Sequence, residues 1–424
     1  MGRGLLVWLH RWVGLLMTVF LILVGLTGSL LAFKTDLERL ICPQIYATPK
    51  PGVPRLDLAT LAELIEPRVP HGQLVTVDLM EPDQALLVFE PRTDPVTRKP
   101  YELGFVQMFV DPWTGRELGR RRPGDFSQGR MNIMPFVYDL HVSLLLGAAG
   151  VRTLGIVALL WTIDSFVGFY LTLPASSGSF WRRWKPAWLI KWKASAFRLN
   201  FDLHRAGGLW VWAALFVFAW SSVMLNWRSL YDPLTHAALD YQPWYEHYTP
   251  STPSSNDPPR LGFRDAVATG NRLMAEQARK FGFTVGPVVM MYWMSGDYFY
   301  FAKSSRDIRD KESFTMLMFN ANTGAFRYLD LPTGQHSGNT VSSWLYALHM
   351  ADVFGLPYRV FVCVLGLLIT MLSVTGVYIW WRKRRARLHH RARLRPDRSH
   401  PASIGTTAGS ASTSTKGLPF GDQR

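Results

Sequence analysis

Read by hydropathy, the chain is four long apolar runs separated by two stretches of mixed, alternating character. Trp12–Phe33, Ala206–Trp227 and Val360–Trp381 each extend over 22 residues without a charge, and Thr153–Pro174 carries only Asp164. Crossing a hydrocarbon core of about 30 Å takes about 20 residues of helix. The runs therefore predict four membrane spans, not buried helices of a soluble protein. The first run is too long for a signal peptide and no clear small-residue cleavage site follows it, which predicts a retained anchor.

The pattern repeats. Leu9-His10-Arg11, with Gly14-Leu15 one turn on, returns 194 residues later as Leu203-His204-Arg205 with Gly208-Leu209. Tyr138, Leu140 and His141 match Tyr346, Leu348 and His349 at a displacement of 208, and that register holds through Gly147/Gly355, Gly168/Gly376 and Tyr170/Tyr378. The stretches between spans repeat as well. In the first, Leu58–Ile65 has helical spacing and precedes strand-like runs at Leu74–Leu79, Ala85–Glu90 and Phe105–Val110. The turn sequence Asp111-Pro112-Trp113-Thr114-Gly115 then joins two strands. In the second, Ala266–Phe281 reads as a helix, Val285–Met291, Tyr298–Ala302 and Phe314–Phe319 as strands, and Asn320-Ala321-Asn322-Thr323-Gly324 as the turn. Helix then strands, twice, is a duplication.

Charge orients the spans. Residues 1–11, 175–205 and 382–424 hold 20 Lys and Arg against three Asp, a net +17 that leaves −2 for the remainder of a chain at +15. Basic residues gather on the cytoplasmic side, so both termini and the middle loop are expected there, with residues 34–140 and 228–348 outside. The run Arg382-Lys383-Arg384-Arg385 reads as a topological stop beside anionic lipid, not a nucleic-acid patch. Cys42 and Cys363 are placed too far apart to pair, and no CxxCH motif is present, so any haem would be held without thioether bonds.

The expected plan is an α-helical membrane protein of four transmembrane helices in two repeated halves, with two α+β periplasmic domains. It runs as 1–33 (N-terminus and first span), 34–135 (periplasmic domain), 136–174 (second span with its preceding histidine segment) and 175–202 (basic cytoplasmic loop). It continues as 203–227 (third span), 228–342 (second periplasmic domain), 343–381 (fourth span with its histidine segment) and 382–424 (basic, disordered cytoplasmic tail). Pro243–Pro259 reads as a loop.

The double LHR…GL signature, the Y-x-LH helices and the two Thr-Gly hairpin domains resemble the PepSY-associated membrane-helix family over roughly residues 5–385. That family includes inner-membrane reductases of iron-loaded siderophores. The resemblance implies a bacterial inner-membrane oxidoreductase with haem as cofactor and a ferric siderophore in the periplasm as acceptor.

Topology sorts four histidines into two pairs, His10 with His204 at the cytoplasmic face and His141 with His349 at the periplasmic face. Low-spin haem takes two axial nitrogens on opposite sides of one iron, which facing helices can supply. Two pairs suggest two b-type haems stacked across the bilayer. The plainer reading of each histidine is an interfacial polar residue, and zinc would want a third or fourth ligand close by. Arg11 and Arg205 are either charges snorkelling to lipid phosphate or guanidinium partners of haem propionates. Arg152 and Arg359 could act likewise on the other face. Gly14, Gly208, Gly168 and Gly376 let helices approach or give a macrocycle room. Asp164, whose counterpart is Leu372, is either a protonated residue bonded to Ser165 or Thr162 or part of a proton path. His71, His236, His247 and His336, the last three near Tyr231, Tyr241, Trp244, Tyr245 and Tyr248, are solvated loop residues or a ligand platform. Whether the segments after His141 and His349 continue as helix or bend is left open.

No G-x-G-x-x-G follows a strand, so electrons are expected from a separate donor, a membrane quinol or a cytoplasmic reductase, and the protein alone should not oxidise NADPH. Two other readings stay open: a non-redox PepSY-type binding or regulatory membrane protein, and a transporter, against which four spans without a broken polar pair argue.

Overall fold

The computed structural model describes residues 2–393 apart from 177, 252–258 and 312. Of the tail 382–424 expected to be disordered, 382–393 continue the last helix, and 394–424 lie outside the described residues. The chain divides into Met1–Ile379, which holds every site discussed below, and Trp380–Arg424, whose described part is helical.

In chain order, α1 (Arg3–Leu31) leads through α2 (Lys34–Ile41) to α3 (Leu58–Ile65), β1 (Gly72–Asp78), β2 (Ala85–Pro91), β3 (Gln107–Val110) and β4 (Glu117–Arg121). Then α4 (Ile133–Ser143) delivers His141, and α5 (Gly147–Thr172) follows. After α6 (Phe180–Trp184) the plan repeats with α7 (Ala196–Trp210), α8 (Trp212–Asn226), α9 (Arg228–Ala238) and α10 (Phe263–Phe281). The second half ends with β5 (Val285–Met294), β6 (Asp297–Ser304), β7 (Met316–Asn320), β8 (Phe326–Asp330), α11 (Ser337–His349) and α12 (Gly355–Arg393).

Three of these helices, α1, α5 and α12, are long and apolar enough to cross a membrane, and α7 with α8 makes a fourth span if the bent pair is one crossing. At 29 residues, α1 is about 43 Å long at about 1.5 Å per residue. Its outer face is apolar yet exposed, with Leu16 at 64% and Val19 at 70%. Such a stripe is costly in water and unremarkable in lipid. The protein is a membrane protein of α+β character.

The third span corrects the expectation of one continuous helix over Ala206–Trp227. It is bent by 69° between α7 and α8, at Val211 (φ −110°, ψ 14°). Most sharp kinks have a proline, a glycine pair or an inserted group behind them. Here the pair Gly207-Gly208 stands just before the bend, and α7 is also held to the preceding loop: Arg205 Nη2 donates to Pro186 O at 2.6 Å and Trp210 Nε1 to Trp188 O at 3.1 Å. An uncharged run carries no trace of such a tether. It also weakens the argument against a transporter that rested on unbroken spans.

The two α+β regions share one antiparallel sheet of eight strands, ordered β4-β3-β2-β1-β5-β6-β7-β8. They meet where β1 pairs with β5, in the register Thr76↔Tyr292, Val77↔Met291 and Asp78↔Met290. The expected two domains are thus halves of one sheet. Both faces are covered, which is why β6 reads as a continuous apolar run and not as an alternating one. Tyr298, Tyr300 and Ala302 join the core under α3 and α10, while Phe299 and Phe301 pack on the opposite face against Trp244, Tyr248 and Tyr292. In both halves the Thr-Gly turn needs its glycine in the left-handed region, Gly115 at φ 65° and Gly324 at φ 70°, where a side chain would be strained.

The histidine helices bend away from the spans that follow them. Leu144 and Leu145 (φ 54° and 60°) break α4 from α5, and Ala351 and Phe354 (φ 53° and 59°) break α11 from α12. Left-handed backbone costs an L-residue about 1 kcal/mol or more, and both halves accept it in the same connector. The bend sets α4 against α1 and α11 against α8, which brings His141 and His349 beside the spans.

Candidate functional site

The helices bring together the two pairs that topology proposes. The ring centres of His10 and His204 are 6.2 Å apart, and those of His141 and His349 are 6.4 Å apart. His10 stands on α1 and His204 on α7, His141 on α4 and His349 on α11, so each pair joins the two halves.

Every one of the four rings has its Nδ1 engaged within its own half. On the side remote from the sheet, His10 Nδ1 lies 3.0 Å from both carboxylate oxygens of Asp164 on α5. His204 Nδ1 lies 3.0 Å from Leu372 O and from Thr375 Oγ1 on α12. On the side near the sheet, His141 Nδ1 lies 2.9 Å from Thr27 Oγ1, and His349 Nδ1 lies 2.8 Å from Ser221 Oγ. The hydroxyl protons are already committed to helix carbonyls: Thr27 to Leu23 O, Ser221 to Phe218 O and Thr375 to Met371 O. A hydroxyl that has given its proton away can only accept. The Asp164 carboxylate and Leu372 O only accept, so His10 and His204 carry hydrogen on Nδ1 and a lone pair on Nε2, the tautomer suited to metal ligation, and the hydroxyls facing His141 and His349 suit the same tautomer.

Asp164 is not bonded to Ser165 or Thr162, as one expectation had it. Thr162 and Ser165 donate to the helix carbonyls of Ala158 and Thr162, and the carboxylate faces His10. The duplication explains the position: Asp164 and Leu372 are equivalent, and each accepts from the histidine of its half, one by side chain and one by backbone. Gly168 and Gly376 are equivalent too. A Cβ on either would meet the Cε1 of His10 at 3.4 Å or of His204 at 3.3 Å, so their absence of side chain seats the two rings.

Two imidazoles on opposite sides of one iron, with metal–nitrogen bonds of about 2.0 Å and about 1.2 Å from nitrogen to ring centre, have ring centres about 6.4 Å apart. Both pairs fit that spacing, and both fit the required tautomer. A Cβ on Gly14, one turn beyond His10, would meet nothing within 4 Å, which leaves room beside that ring. Nε of Arg205 is buried without a hydrogen-bond partner, a donor suited to a propionate. The residues present fit two bis-histidine haem sites. No cluster of three or more His, Cys, Asp or Glu suited to a bare metal ion occurs among the described residues.

The arginines divide. Arg205 also donates to Asp202 Oδ1 at 2.9 Å, and Arg11 has no hydrogen-bond partner among the described residues. Arg359 is taken up by Asp36 and Ala32 O and stacks on Phe33, which ties α12 to the end of α1. Arg152 donates to Ala148 O of its own helix. The outer histidines do not converge: His236 pairs with Glu246, His336 with Asp240, His247 stacks on Tyr328 and His71 on Tyr101.

Beside the near-sheet pair lies a cavity of about 130 Å³ lined by Arg228, Trp244, Tyr245, Arg309, Asp330 and Tyr346, among others. Tyr346 is one turn before His349 on α11. The cavity is smaller than the roughly 300 Å³ of a typical small-molecule site. Burial pushes the Asp330 carboxyl up to about 7. A group whose native value lies above its ordinary 3.8 contributes stability that is complete below about pH 4 and lost as pH rises through 7. Asp330→Asn should therefore unfold at a higher temperature than the wild type at pH 8, with the gap closing towards pH 4. At about 1.4 kcal/mol per pKa unit, and discounted for residual solvent contact, the gain is about 1–2 kcal/mol. Thermal unfolding of the detergent-solubilised protein at the two pH values measures it, and equal gains at both would reject this assignment.

No curated protein matches the sequence at a significant level. Residues 7–383 match the family described as the PepSY-associated TM region. The chain belongs to that family.

Proposed function

We propose that this protein is a di-haem b oxidoreductase of the bacterial inner membrane that passes electrons from the cytoplasmic side to a periplasmic acceptor. Both termini lie in the cytoplasm on this reading, and the eight-stranded sheet, built from two PepSY-like units, lies in the periplasm. The observation that carries the proposal is the pair of histidine pairs, each at the spacing of two ligands on one iron, each ring with Nδ1 hydrogen-bonded and Nε2 left for a metal.

Bound haem supplies one-electron Fe(III)/Fe(II) chemistry. His10 and His204 would hold one group, and His141 and His349 the other. Thr27, Ser221, Asp164 and the Leu372 carbonyl fix the tautomer and orientation of the rings, and the Arg205 guanidinium, with Arg11, would meet propionates. The acceptor is ferric iron in a siderophore. Hard oxygen ligands hold small, highly charged Fe(III) firmly, and one-electron reduction to Fe(II) loosens that hold. The cavity next to Tyr346, one helical turn from His349, is lined by aromatic and guanidinium groups, which suit the rim of such a chelate. The electron donor is a membrane quinol or a separate cytoplasmic reductase.

Absorbance spectra of the detergent-purified protein, oxidised and dithionite-reduced, test the reading. The expected result is sharp low-spin bands and a haem-to-protein ratio near two, with no oxidation of NADPH by the protein alone. A colourless protein from haem-replete cells would refute it and leave the non-redox binding or regulatory membrane protein as the reading to pursue.

A further inference from the structure

We propose that Asp164 is a positioning residue that sets the His10–His204 site at a lower reduction potential than the His141–His349 site, and so gives the protein its direction of electron flow. The inference rests on the haem reading above and concerns what the two halves do differently.

Three of the four histidines have Nδ1 against neutral oxygen: Thr27 Oγ1 for His141, Ser221 Oγ for His349, and Leu372 O with Thr375 Oγ1 for His204. His10 alone donates to a carboxylate, both oxygens of Asp164 at 3.0 Å. Hydrogen bonds to an ionised partner are roughly twice as strong as neutral ones. A carboxylate drawing on the Nδ1 proton makes Nε2 a stronger donor. A stronger axial donor favours Fe(III) over Fe(II), and hydrogen bonding around the ligands is one of the protein's levers on potential. The side chain of Asp164 is 11% exposed within a membrane-length helix, where a charge is expensive and marks function. At the equivalent position the second half has Leu372 and meets the same geometric need with its backbone. A carboxylate is therefore not required to orient the ring, which leaves its charge as the difference.

The transfer favoured is of one electron. The His10–His204 site is oxidised, the His141–His349 site is reduced, no bond forms or breaks, and the proton stays on His10 Nδ1. The donor named above replaces the electron, and the ferric chelate removes it.

A redox titration of the purified protein, followed by haem absorbance, tests this. The wild type should show two one-electron waves separated by at least a tenfold difference in equilibrium, 59 mV for one electron. Asp164→Asn, which keeps shape and removes charge, should raise the lower wave by at least that amount and leave the upper one in place. His349→Ala keeps Asp164 and His10 intact and gives a second measurement, since its single remaining wave should be the lower of the two. A two-haem protein whose lower wave does not move in Asp164→Asn, or a His349→Ala protein that retains the upper wave, overturns the proposal while leaving the haem reading in place. A protein without haem overturns both.

Discussion

His349→Ala is expected to purify with one haem per chain in place of two, and to reduce no ferric chelate. His349 faces His141 at 6.4 Å between ring centres, and truncation leaves that site with one imidazole. The other pair lies on the opposite side of the spans, on α1 and α7, and shares no helix with His349, so its absorbance should persist. The fold should persist as well. Ser221 keeps its bond to Phe218 O, so no buried hydroxyl is orphaned, and the main loss is packing of the imidazole against Phe218, at 5.2 Å between ring centres. A buried truncation of that kind costs about 1–3 kcal/mol. Haem-to-protein ratio and chelate reduction by dithionite-reduced protein give the two readouts. Retention of both haems would show that the pairing across halves is not what holds them.

The features written in local composition were legible from the residues: apolar runs of membrane length, the duplication, and the helix-then-strand order of each half. The two histidine pairs were legible because the direction of each span sorts their faces. What was not legible depends on contacts between distant parts of the chain. The β1–β5 junction is three residue pairs long, and neither strand signals a partner 200 residues away. The bend at Val211 follows the pair Gly207-Gly208, but the bonds of Arg205 and Trp210 that hold α7 to a loop leave no mark in the sequence. The partners of Nδ1 lay between these extremes. Thr27 and Ser221 stand at the same displacement of 194 as the first pair of histidines, so the repeat register already contained them. A hydroxyl in an apolar run, which usually bonds its own helix, gave no reason to look. Asp164 was conspicuous as the single charge in its run, yet its partner His10 lies 154 residues earlier and only packing of α1 on α5 joins them.

Gly366→Leu is expected to remove both haems at once, which separates it from every histidine substitution. The helices α1 and α12 cross with backbone against backbone. A Cβ on Gly25 would lie 2.7 Å from Gly366 O and 2.8 Å from Thr370 Oγ1, and a Cβ on Gly366 would fall on Ser29 Oγ and Gly25 O. Ser29 Oγ also donates to Cys363 O at 2.9 Å across the crossing. Small residues that let two spans touch in this way are a main source of helix association in lipid, where no hydrophobic drive remains between them. Relief by rotamer change is unavailable, because the opposing atoms are mostly main chain, so a leucine must push the helices apart. Each helix serves a site. α1 carries His10 and the Thr27 that orients His141, and α12 carries the Leu372 carbonyl, Thr375 and Gly376 that seat His204. Parting them displaces ligand or support in both pairs, and a misplacement of about 1 Å is enough to loosen a preorganised site. The check is a purified, monodisperse variant with a haem-to-protein ratio well below one. Two haems at wild-type potentials would mean that the crossing of α1 and α12 does not hold the sites together, and that the support comes from α5 and α8 instead.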